Sequence, residues 1–549
     1  MGFYIGGVKM DSLFKDYKIK MAIEQIAVRT EHHDPQTVVD SFYDCNIISH
    51  YANVNHQVIQ GRRGTGKTHI LRVLQVKMET ETQHCIYFVC KGIGSAQEIS
   101  DSNLPEKHRA IQLMRDFLLN IYNDLCEYYR EVLNYGDSNK LSKDIRALLS
   151  ILYSECYSVG KIEEKFEQTQ NRRTNVSKHR QHAFKISLLP LTSDLERTDN
   201  NDLDDENAKE RKVSGVSFLK VVYPNIKHCL AELAAITGKR FVILIDEWAN
   251  LPWELQPHFS EFLHQCFFSN DCFTLKIAAV KERSRYCIRQ NSTIYGLELG
   301  SDLKADFDLD QIYALDNNPR KIFSDLFGIL WTHLKAKKVL QGIDVSAFLA
   351  GLCVDFKTAS LLVRASEGNP RDFISILHQC IIQSDGMGNS TGKIRCDTVY
   401  AAANSWYMLD KYAALTPEQC KLLDELTLFV VHEHDNRAFM IAEEHLHSKL
   451  IAGLIDARVL HPLKIRRFFP NLSNQPLAIL VLDFGTYSPE LEIGKEIHFY
   501  ASNTDDVIEA SIFGEYEISR YDDGLYPLDA LRKFRICYWD PEYLNYPLS

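Results

Sequence analysis

Short apolar runs alternate with segments of helical periodicity along much of the chain, a pattern that is typical of an α/β fold. The run Phe241–Ile245 is wholly apolar and mostly branched, which favours a strand buried on both faces of a parallel sheet. Shorter apolar runs with turn residues at their ends lie on either side of it. The predicted strands cover residues 56–60, 84–91, 241–247 and 273–280.

Apolar residues that recur at i, i+3 and i+4 predict helices around these strands. The predicted helices cover residues 11–30, 69–76, 105–134, 141–168, 216–237 and 319–336. Residues 169–212 are rich in Asn, Arg, Asp, Glu and Ser, so a mobile, solvated acidic loop is predicted there. The short apolar island Phe184–Leu191 within this loop is compatible with an extra strand. A functional acidic tether is the alternative to simple solvation of this loop.

A glycine-rich segment separates the first predicted strand from the helix that follows it. Residues Gly61 to Thr68 fit the pattern G-x-x-x-x-G-K-[ST] in full, between the strand and the helix that this motif requires. The backbone N–H groups of this loop and the N-terminus of the following helix favour the binding of phosphate. Lys67 is predicted to bind the β- and γ-phosphates, and Thr68 is predicted to contact Mg²⁺. The predicted nucleotide-binding residues are Gly61, Arg62, Arg63, Gly64, Thr65, Gly66, Lys67, Thr68 and His69.

Two adjacent carboxylates, Asp246 and Glu247, end the buried strand. Ligands of parallel sheets lie beyond the carboxyl ends of the strands, so both side chains are predicted to face the phosphates. Asp246 is predicted to hold Mg²⁺, directly or through water, and Glu247 to polarise the attacking water. The alternative is a strand that merely ends in a charged turn. The sequence therefore predicts ATP and Mg²⁺ as cofactors.

The segments Gly61–Thr68, Ile243–Glu247 and Glu367–Asp372 together resemble the Walker A, Walker B and sensor 2 motifs of AAA+ ATPases. Within that group the chain is similar to the branch of origin-recognition and replication-initiator ATPases, over residues 40–410 apart from the insertion. The resemblance implies ATP hydrolysis and a small helical lid domain whose Arg371 reaches the γ-phosphate. A guanidinium on a separate domain would couple the lid angle to the nucleotide state.

The chain departs from the family pattern in two places. Residues 69–242 separate the two Walker motifs, far more than in a minimal AAA+ core, so the helical insertion and acidic loop are peculiar to this chain. The strand ending at Val280 lacks the Asn or Thr of sensor 1, and slow hydrolysis is therefore expected. The residues that stand there are Lys281, Glu282 and Ser284. The candidates for an arginine finger acting in trans are Arg283, Arg285 and Arg320.

The C-terminal third has the pattern of a winged helix. Helices are predicted at 417–431 and 443–460, a short strand at 437–441, and a wing at 462–469 and 477–484. The triplet Asp483-Phe484-Gly485 is interpreted as a hairpin turn, since no H-R-D partner of a kinase accompanies it. Four histidines in this region are interpreted as solvated rather than metal-binding, because no H-E-x-x-H pattern is present: His432, His434, His445 and His447.

A basic and aromatic cluster in the predicted wing is the candidate DNA contact, and it consists of Lys464, Arg466 and Arg467 beside Phe468 and Phe469. The net charge of the chain is −11, however, and most of that negative charge lies in residues 411–549. Acidity of this kind repels a phosphate backbone over most of the surface. A wing that contacts protein or serves only the fold is therefore the alternative.

The remaining composition indicates a cytoplasmic protein without a membrane span. No run of about 18 apolar residues occurs, and the N-terminus is not a secretory signal. The 14 cysteines are scattered without a C-x-x-C pair, so reduced thiols are expected.

These predictions combine into an AAA+ parallel sheet with a helical lid, followed by a winged-helix-like α+β domain. The predicted divisions are a helical lead-in at 1–40, a P-loop domain at 41–300 with an insertion at about 95–215, a lid at 301–413, and the C-terminal domain at 414–549. The nucleotide state is predicted to switch contacts of the lid and C-terminal domain with DNA, a protein partner or a homo-oligomer. The alternative is an ATP-driven protein-interaction switch or scaffold of a prokaryotic defence or signalling system that does not bind DNA.

Overall fold

The computed structural model describes most of the chain between residues 13 and 494 and a short C-terminal segment. The described residues are 13, 16–26, 35–91, 99–135, 139–156, 159–161, 217–219, 223–268, 270–290, 293–305, 307–315, 319–340, 342–386, 392–467, 476–494 and 537–539. The predicted acidic loop at 169–212, its apolar island and the aromatic residues Phe468 and Phe469 lie outside these ranges.

The strands are numbered here in chain order. They are β1 (Gln57–Gln60), β2 (Gln83–Val89), β3 (Val159–Lys161), β4 (Ser217–Leu219), β5 (Arg240–Asp246), β6 (Phe273–Ala279), β7 (Cys287–Gln290), β8 (Thr293–Gly296), β9 (Ala438–Ala442), β10 (Leu460–Arg467), β11 (Leu477–Leu482) and β12 (Cys537–Tyr538).

The helices are numbered in the same way. They are α1 (Tyr17–Glu24), α2 (Pro35–Asp40), α3 (Ile48–Tyr51), α4 (Lys67–Met78), α5 (Glu106–Tyr128), α6 (Arg130–Asn134), α7 (Lys140–Cys156), α8 (Tyr223–Thr237), α9 (Gln256–Phe267), α10 (Leu309–Ile312), α11 (Pro319–Ala336), α12 (Val345–Leu352), α13 (Phe356–Ala365), α14 (Pro370–Gly386), α15 (Cys396–Trp406), α16 (Pro417–Thr427), α17 (Lys449–Asp456) and α18 (Phe484–Glu492).

A parallel sheet with the strand order β1-β6-β5-β2 confirms the predicted α/β core. The segment after β8 extends this sheet, since Lys304 and Asp308 make isolated parallel bridges to the outer edge of β1. Parallel strands direct their carboxyl ends to one edge, so the loop after β1 and the acidic end of β5 lie at the same edge.

The sheet separates two hydrophobic cores, and β5 contributes to both. Val242 and Leu244 face the core that contains α4 and the helices α11–α15. Ile243 and Ile245 face the core that contains α5, α7, α8 and α9. The alternation follows from the two-residue period of a strand, and it explains why the whole run is apolar.

The insertion is partly different from the prediction. The helix predicted at 105–134 is two helices that meet at Tyr129, and the one predicted at 141–168 ends at Cys156. The helix predicted at 216–237 begins only at Tyr223, because residues 217–219 form β4, which pairs antiparallel with β3. Strands of this length are stabilised by their distant partner, so local periodicity does not predict them.

The C-terminal part contains a sheet with the strand order β10-β11-β9-β12. The predicted hairpin of β10 and β11 is antiparallel. The helix predicted at 443–460 is wrong in extent, because a 3₁₀ turn at Glu443–His447 precedes α17 and Leu460 already lies in β10. The winged-helix assignment itself stays a prediction.

The triplet that begins at Asp483 is not a hairpin turn. Asp483 is the N-cap of α18, and its carboxylate accepts a hydrogen bond from the Gly485 backbone N–H at 3.1 Å. The same carboxylate is an ion-pair partner of Lys411 at 2.5 Å. An N-cap aspartate satisfies the free amides of the first helical turn, which is the physical reason for the helix that follows.

A π-helical turn at Tyr407–Lys411 joins α15 to the C-terminal part. It places the Lys411 ammonium, only 1% exposed, between the carboxylates of Asp372 and Asp483. A second π-helical turn, Leu428–Glu433, follows α16, which begins with a capping box formed by Thr416 and Gln419. Within the described residues, no helix has both the length and the apolar character needed to cross a membrane.

The substitution Lys411→Ala is expected to lower the free energy of unfolding by about 3–5 kcal/mol, because it leaves two buried carboxylates without their shared cation. Urea unfolding followed by tryptophan fluorescence measures this loss, since the Trp406 indole donates to Asp372 at 3.1 Å.

The matched control is Arg130→Ala, which removes an exposed ion pair with Glu127 at 3.1 Å. Exposed pairs contribute at most about 1 kcal/mol. A loss for Lys411→Ala no greater than that of the control would contradict the importance of the buried cation.

Candidate nucleotide-binding site

The loop between β1 and α4 depends on two glycines with left-handed backbone conformations. Gly64 has a φ of 90° and Gly66 a φ of 88°, values that side chains with a Cβ rarely adopt. Gly66 is also the N-cap of α4, so the chain turns directly from the loop into the helix. The turn directs the amino end of α4 toward a cavity that Gly66, Lys67 and Thr68 line.

Lys67 is held by the carbonyl groups of its own loop. Its Nζ donates hydrogen bonds to the backbone oxygens of Gly61 and Arg62, both at 2.7 Å. Burial lowers the pKa of Lys67 to about 8, although the carboxylates of Asp310 and Asp246 oppose the shift. The ammonium therefore stays largely protonated at neutral pH, as the binding of a phosphate requires.

The end of β5 presents a carboxylate that is already oriented. Asp246 accepts hydrogen bonds from the Tyr87 hydroxyl at 2.6 Å and from the Glu247 backbone N–H at 2.7 Å. A carboxylate fixed by two donors is suited to hold Mg²⁺ or its water ligands. Thr68, at the start of α4, lines the same cavity.

Glu247 follows β5 in a left-handed conformation with a φ of 55°. Its side chain accepts a hydrogen bond from the Asn250 side-chain amide at 3.0 Å. A residue other than glycine in this region carries backbone strain, and such residues concentrate at functional sites. The turn places Glu247 beside Asp246 at the rim of the cavity.

The start of α14, in the segment predicted to be the lid, contacts the glycine loop directly. The Asn369 side-chain amide donates to the Arg63 carbonyl oxygen at 2.9 Å, and its oxygen accepts from the Arg371 backbone N–H at 3.0 Å. The same Arg371 N–H lies 3.3 Å from the Gly64 carbonyl oxygen. The amino end of α14 is thereby fixed against the loop.

A cavity of about 330 Å³ lies between these elements. It brings together most of the predicted site residues, namely Arg63, Gly64, Thr65, Gly66, Lys67, Thr68, His69, Asp246, Glu247 and Arg371. Gly61 and Arg62 do not line it. Its size is at the lower end of the range for ligand cavities, about 300–1,000 Å³. The residues fit a triphosphate with Mg²⁺, because the wall combines a lysine, an arginine and an oriented carboxylate.

Arg62 points away from the cavity into a buried network. Its backbone N–H lies 2.9 Å from both carboxylate oxygens of Asp310, and its Nε lies 3.2 Å from one of them. Its Nη1 donates to Nδ1 of His461, at 2.8 Å. The Arg62 side chain is thus held in this network, and its predicted role in nucleotide binding stays a prediction.

The segment after β6 supplies no clear sensor 1. Val280 lines the cavity, and Lys281–Arg283 form a 3₁₀ turn beyond it. Neither Lys281 nor Ser284 lines the cavity, whereas Glu282 borders a second cavity of about 500 Å³ that shares Arg63 and Arg371 with the first. The sensor 1 residue therefore stays open.

The three candidate arginine fingers lie outside the first cavity. Arg283 pairs with Asp456 of α17 at 3.2 Å, and the Arg285 guanidinium carbon lies 5.9 Å from the centre of the Trp253 ring. Arg320 lies in the first turn of α11. Action in trans on a neighbouring subunit stays a prediction for all three.

The candidate DNA contact lies on β10, where Lys464, Arg466 and Arg467 follow one another along the strand. The register against β11 shifts on both sides of Lys464, as in a β-bulge. DNA binding by this segment stays a prediction. Among the described residues, no group of three or more His, Cys, Asp or Glu is arranged as a metal site.

Three residues at or next to the site have no signal in the sequence. Tyr87 holds Asp246 by a hydrogen bond, but an aromatic residue in a strand is indistinguishable from core packing in the sequence. Asn369 lies in the segment Glu367–Asp372, which the family resemblance singles out because of Arg371. No pattern in the sequence, however, indicates that Asn369 contacts the glycine loop. His461 is a third omission, since its partner Arg62 is remote in the chain.

The fold is of the α/β class, with a glycine loop of the P-loop pattern at the carboxyl edge of a parallel sheet. Residues 27–86, which contain β1 and the glycine loop, match the family model described as ORC-CDC6-like. Among solved structures, the chain is similar to Cdc6p from Pyrobaculum aerophilum, with 12% sequence identity, 87% of this chain and 97% of that chain covered, and a TM-score of 0.29. No curated protein matches the chain.

The family-model match confirms the resemblance of this chain to the origin-recognition and replication-initiator branch of the AAA+ ATPases. The matched segment is therefore similar to the corresponding segment of AAA+ proteins, a group whose members bind ATP. A TM-score of 0.29 says nothing about how the domains are arranged, so the α/β assignment rests on the parallel sheet of this chain.

The substitution Gly64→Ala is expected to separate the lid from the glycine loop. An added Cβ would lie 2.5 Å from Asn369 Oδ1 and 2.6 Å from Arg371 Cβ, in addition to the strain of a positive φ. Hydrogen exchange at the first turn of α14 should therefore become faster.

Gly66→Ala is the matched control, because Gly66 has nearly the same φ but no atom within 4 Å of an added Cβ. It carries the backbone strain without the collision. Equal exchange rates at α14 in the two variants would show that the Gly64 contact does not hold the lid.

Proposed function

We propose that this protein binds MgATP in the cavity between the glycine loop, the end of β5 and the start of α14, and hydrolyses it slowly. The observation that carries the proposal is the convergence of Lys67, Asp246, Glu247 and Arg371 on one cavity from three separate elements. Positioning of charge around the transferred phosphoryl group is the main means by which P-loop proteins catalyse this reaction.

Each residue has a distinct role in this proposal. Lys67 binds the β- and γ-phosphates, and Thr68 and Asp246 would hold Mg²⁺, which would supply positive charge to neutralise the phosphates. Glu247 accepts a proton from the attacking water as general base. Arg371 approaches the γ-phosphate from the lid, so that the lid position depends on whether that phosphate is present.

The lid contacts make the site a switch as well as an enzyme. Arg371 lies two residues from Asn369, which bonds the glycine loop, and next to Asp372, which pairs with the C-terminal part of the chain. Loss of the γ-phosphate would therefore change the position of α14, and through Asp372 this would change the contacts of the C-terminal part. Slow hydrolysis is proposed because no Asn or Thr stands at the sensor 1 position after β6.

Two substitutions separate nucleotide binding from hydrolysis. Lys67→Ala is expected to abolish ATP binding, because the loop loses its mobile positive charge. Glu247→Gln is expected to retain ATP binding and to lower the hydrolysis rate by about 10²–10⁴-fold, the usual contribution of a general base. Calorimetric titration with MgATP and a phosphate-release assay measure the two effects.

Asp435→Asn is the control, because it removes a carboxylate far along the chain from Glu247. Asp435 is an exposed residue of the C-terminal part. If Glu247→Gln hydrolysed ATP at the normal rate, Glu247 would not be the base. If the unaltered protein bound no MgATP, the proposal as a whole would fall.

The partner of the switch is proposed to be DNA or protein, and the charge of the chain bears on the choice. The cluster Lys464, Arg466 and Arg467 on β10 favours DNA. The net charge of −11 favours a protein partner, as in a scaffold or effector of a prokaryotic defence or signalling system.

Fluorescence anisotropy with duplex and single-stranded DNA, with and without ATP, distinguishes the two partners. If DNA is the partner, the affinity should fall steeply with salt and be lost in the double variant Arg466→Glu/Arg467→Glu, because each phosphate contact releases counterions. The control replaces two exposed lysines of the insertion, Lys107→Glu/Lys140→Glu. Absence of binding at low salt in every nucleotide state would leave protein as the partner.

A further inference from the structure

Arg62 links the phosphate-binding lysine to the rest of the protein. Its carbonyl oxygen accepts hydrogen bonds from Lys67 Nζ at 2.7 Å and from the Thr65 hydroxyl at 2.9 Å. Its backbone N–H and Nε are held by Asp310. The position of Arg62 therefore sets where the Lys67 ammonium can rest when it contacts the loop.

The guanidinium of Arg62 reaches the C-terminal part of the chain through His461. Because a guanidinium can only donate, Nδ1 of His461 must be the acceptor of the 2.8 Å hydrogen bond. Nε2 of His461 lies 3.1 Å from the Asp483 carboxylate and therefore carries the proton. Burial and the Arg62 charge lower the pKa of His461 to about 4, although Asp483 opposes the shift, so the imidazole is neutral at pH 7.

The chain of contacts continues from Asp483 back to the lid. Lys411 lies 2.5 Å from Asp483 and 3.0 Å from Asp372, which is the third residue of α14. Arg458, in the turn between α17 and β10, lies 3.2 Å from Asp372. The same network thus touches the glycine loop at one end and the helix of Arg371 at the other.

A separate ion pair joins the same two parts of the protein. Arg437, fully buried before β9, lies 3.5 Å from Glu367 in the turn that precedes α14. Glu367 has a φ of 46°, a left-handed conformation that costs free energy in a residue other than glycine. The C-terminal part therefore contacts both the glycine loop and the lid, and both contacts are made through buried charged groups.

The burial of these groups makes the network sensitive to small displacements. The Lys411, Asp372, Asp483 and Arg458 side chains are each 5% exposed or less. Buried charges interact more strongly than exposed ones, and separation of one partner leaves the other without compensation. The network is therefore expected to hold one arrangement or to open, rather than to stretch gradually.

We propose that His461 is a positioning residue for the nucleotide site, acting through Arg62 on Lys67 and tying the C-terminal part to the glycine loop. The inference rests on the proposed function, since it assigns the regulation of the same ATP site. In the docked state, His461 fixes the Arg62 guanidinium and so orders the carbonyl group that contacts Lys67. When the C-terminal part moves, the loop loses that restraint.

Linkage requires the effect to act in both directions. If docking of His461 strengthens ATP binding, ATP must strengthen the docking of the C-terminal part by the same factor. A partner that displaces β10 would then release nucleotide, and bound nucleotide would resist that partner. The series of contacts from His461 through Arg62 to Lys67, the His461 relay, needs no change of covalent state or of protonation.

The test uses the full-length protein with three substitutions at the relay and one matched control. His461→Ala removes the acceptor, His461→Gln offers an amide that both accepts and donates, and Arg62→Ala removes the guanidinium. His434→Ala is the control, because His434 is an exposed histidine of the same part of the chain whose ring contacts the Phe429 carbonyl oxygen. MgATP affinity is measured for each variant and for Arg62→Ala/His461→Ala.

The relay predicts about a tenfold loss of ATP affinity for His461→Ala, which corresponds to about 1.4 kcal/mol. His461→Gln should recover most of that loss, and the control should bind as the unaltered protein does. The double variant should bind no worse than Arg62→Ala alone, because both substitutions break the same contact. Unchanged affinity in His461→Ala, or additive losses in the double variant, would overturn the proposal.

Hydrogen exchange provides a second measurement that does not depend on ATP. His461→Ala should accelerate exchange of the amides of residues 61–67 relative to His434→Ala, because Arg62 loses a restraint. If the unaltered protein bound no ATP, the proposed function would fail, while this comparison would still decide whether His461 orders the loop. Equal exchange in the two variants would overturn the relay even if ATP binding were normal.

Discussion

The carboxylate of Asp372 lies wholly inside the protein, and two cations from later parts of the chain neutralise it. Lys411 lies 3.0 Å from its Oδ2 and Arg458 lies 3.2 Å from the same atom. Burial by itself would raise the pKa of Asp372, but these two cations lower it below its ordinary value. The helix that begins at Pro370 can therefore take only positions in which both cations reach it, and this restricts how its first turn borders the cavity beside the glycine loop.

The parallel sheet provides the other fixed reference of the site. The alternation of β5 between two cores prevents a slip by one residue, because a slip would exchange every side chain between the faces. Asp246 consequently stays at the edge where β1 delivers the glycine loop, and the Tyr87 hydroxyl from the neighbouring strand orients its carboxylate. The β1–α4 side of the sheet shares a hydrophobic core with the helices α11–α15, and short polar contacts from Asn369 and Arg371 add to this packing at the glycine loop.

Strained backbone marks both sides of the cavity. Glu247 ends the sheet side with a φ of 55°, and Glu367 precedes the lid helix with a φ of 46°. Each left-handed residue has side-chain partners that hold it, Asn250 for Glu247 and Arg437 for Glu367. Conformations of this kind persist only where the surroundings impose them, and here the surroundings of Glu367 include the C-terminal part of the chain.

The sequence by itself determined the features whose cause is local. The buried run Phe241–Ile245, the glycine loop and the helix Pro319–Ala336 were all predictable, because burial, turn geometry and helical period act within a few residues. The tertiary structure alone decided which distant groups meet. The pairing of β3 with β4, the helix capped by Asp483, and the contact of His461 with Arg62 join residues far apart in the chain, and no local pattern records which partner neutralises a buried charge.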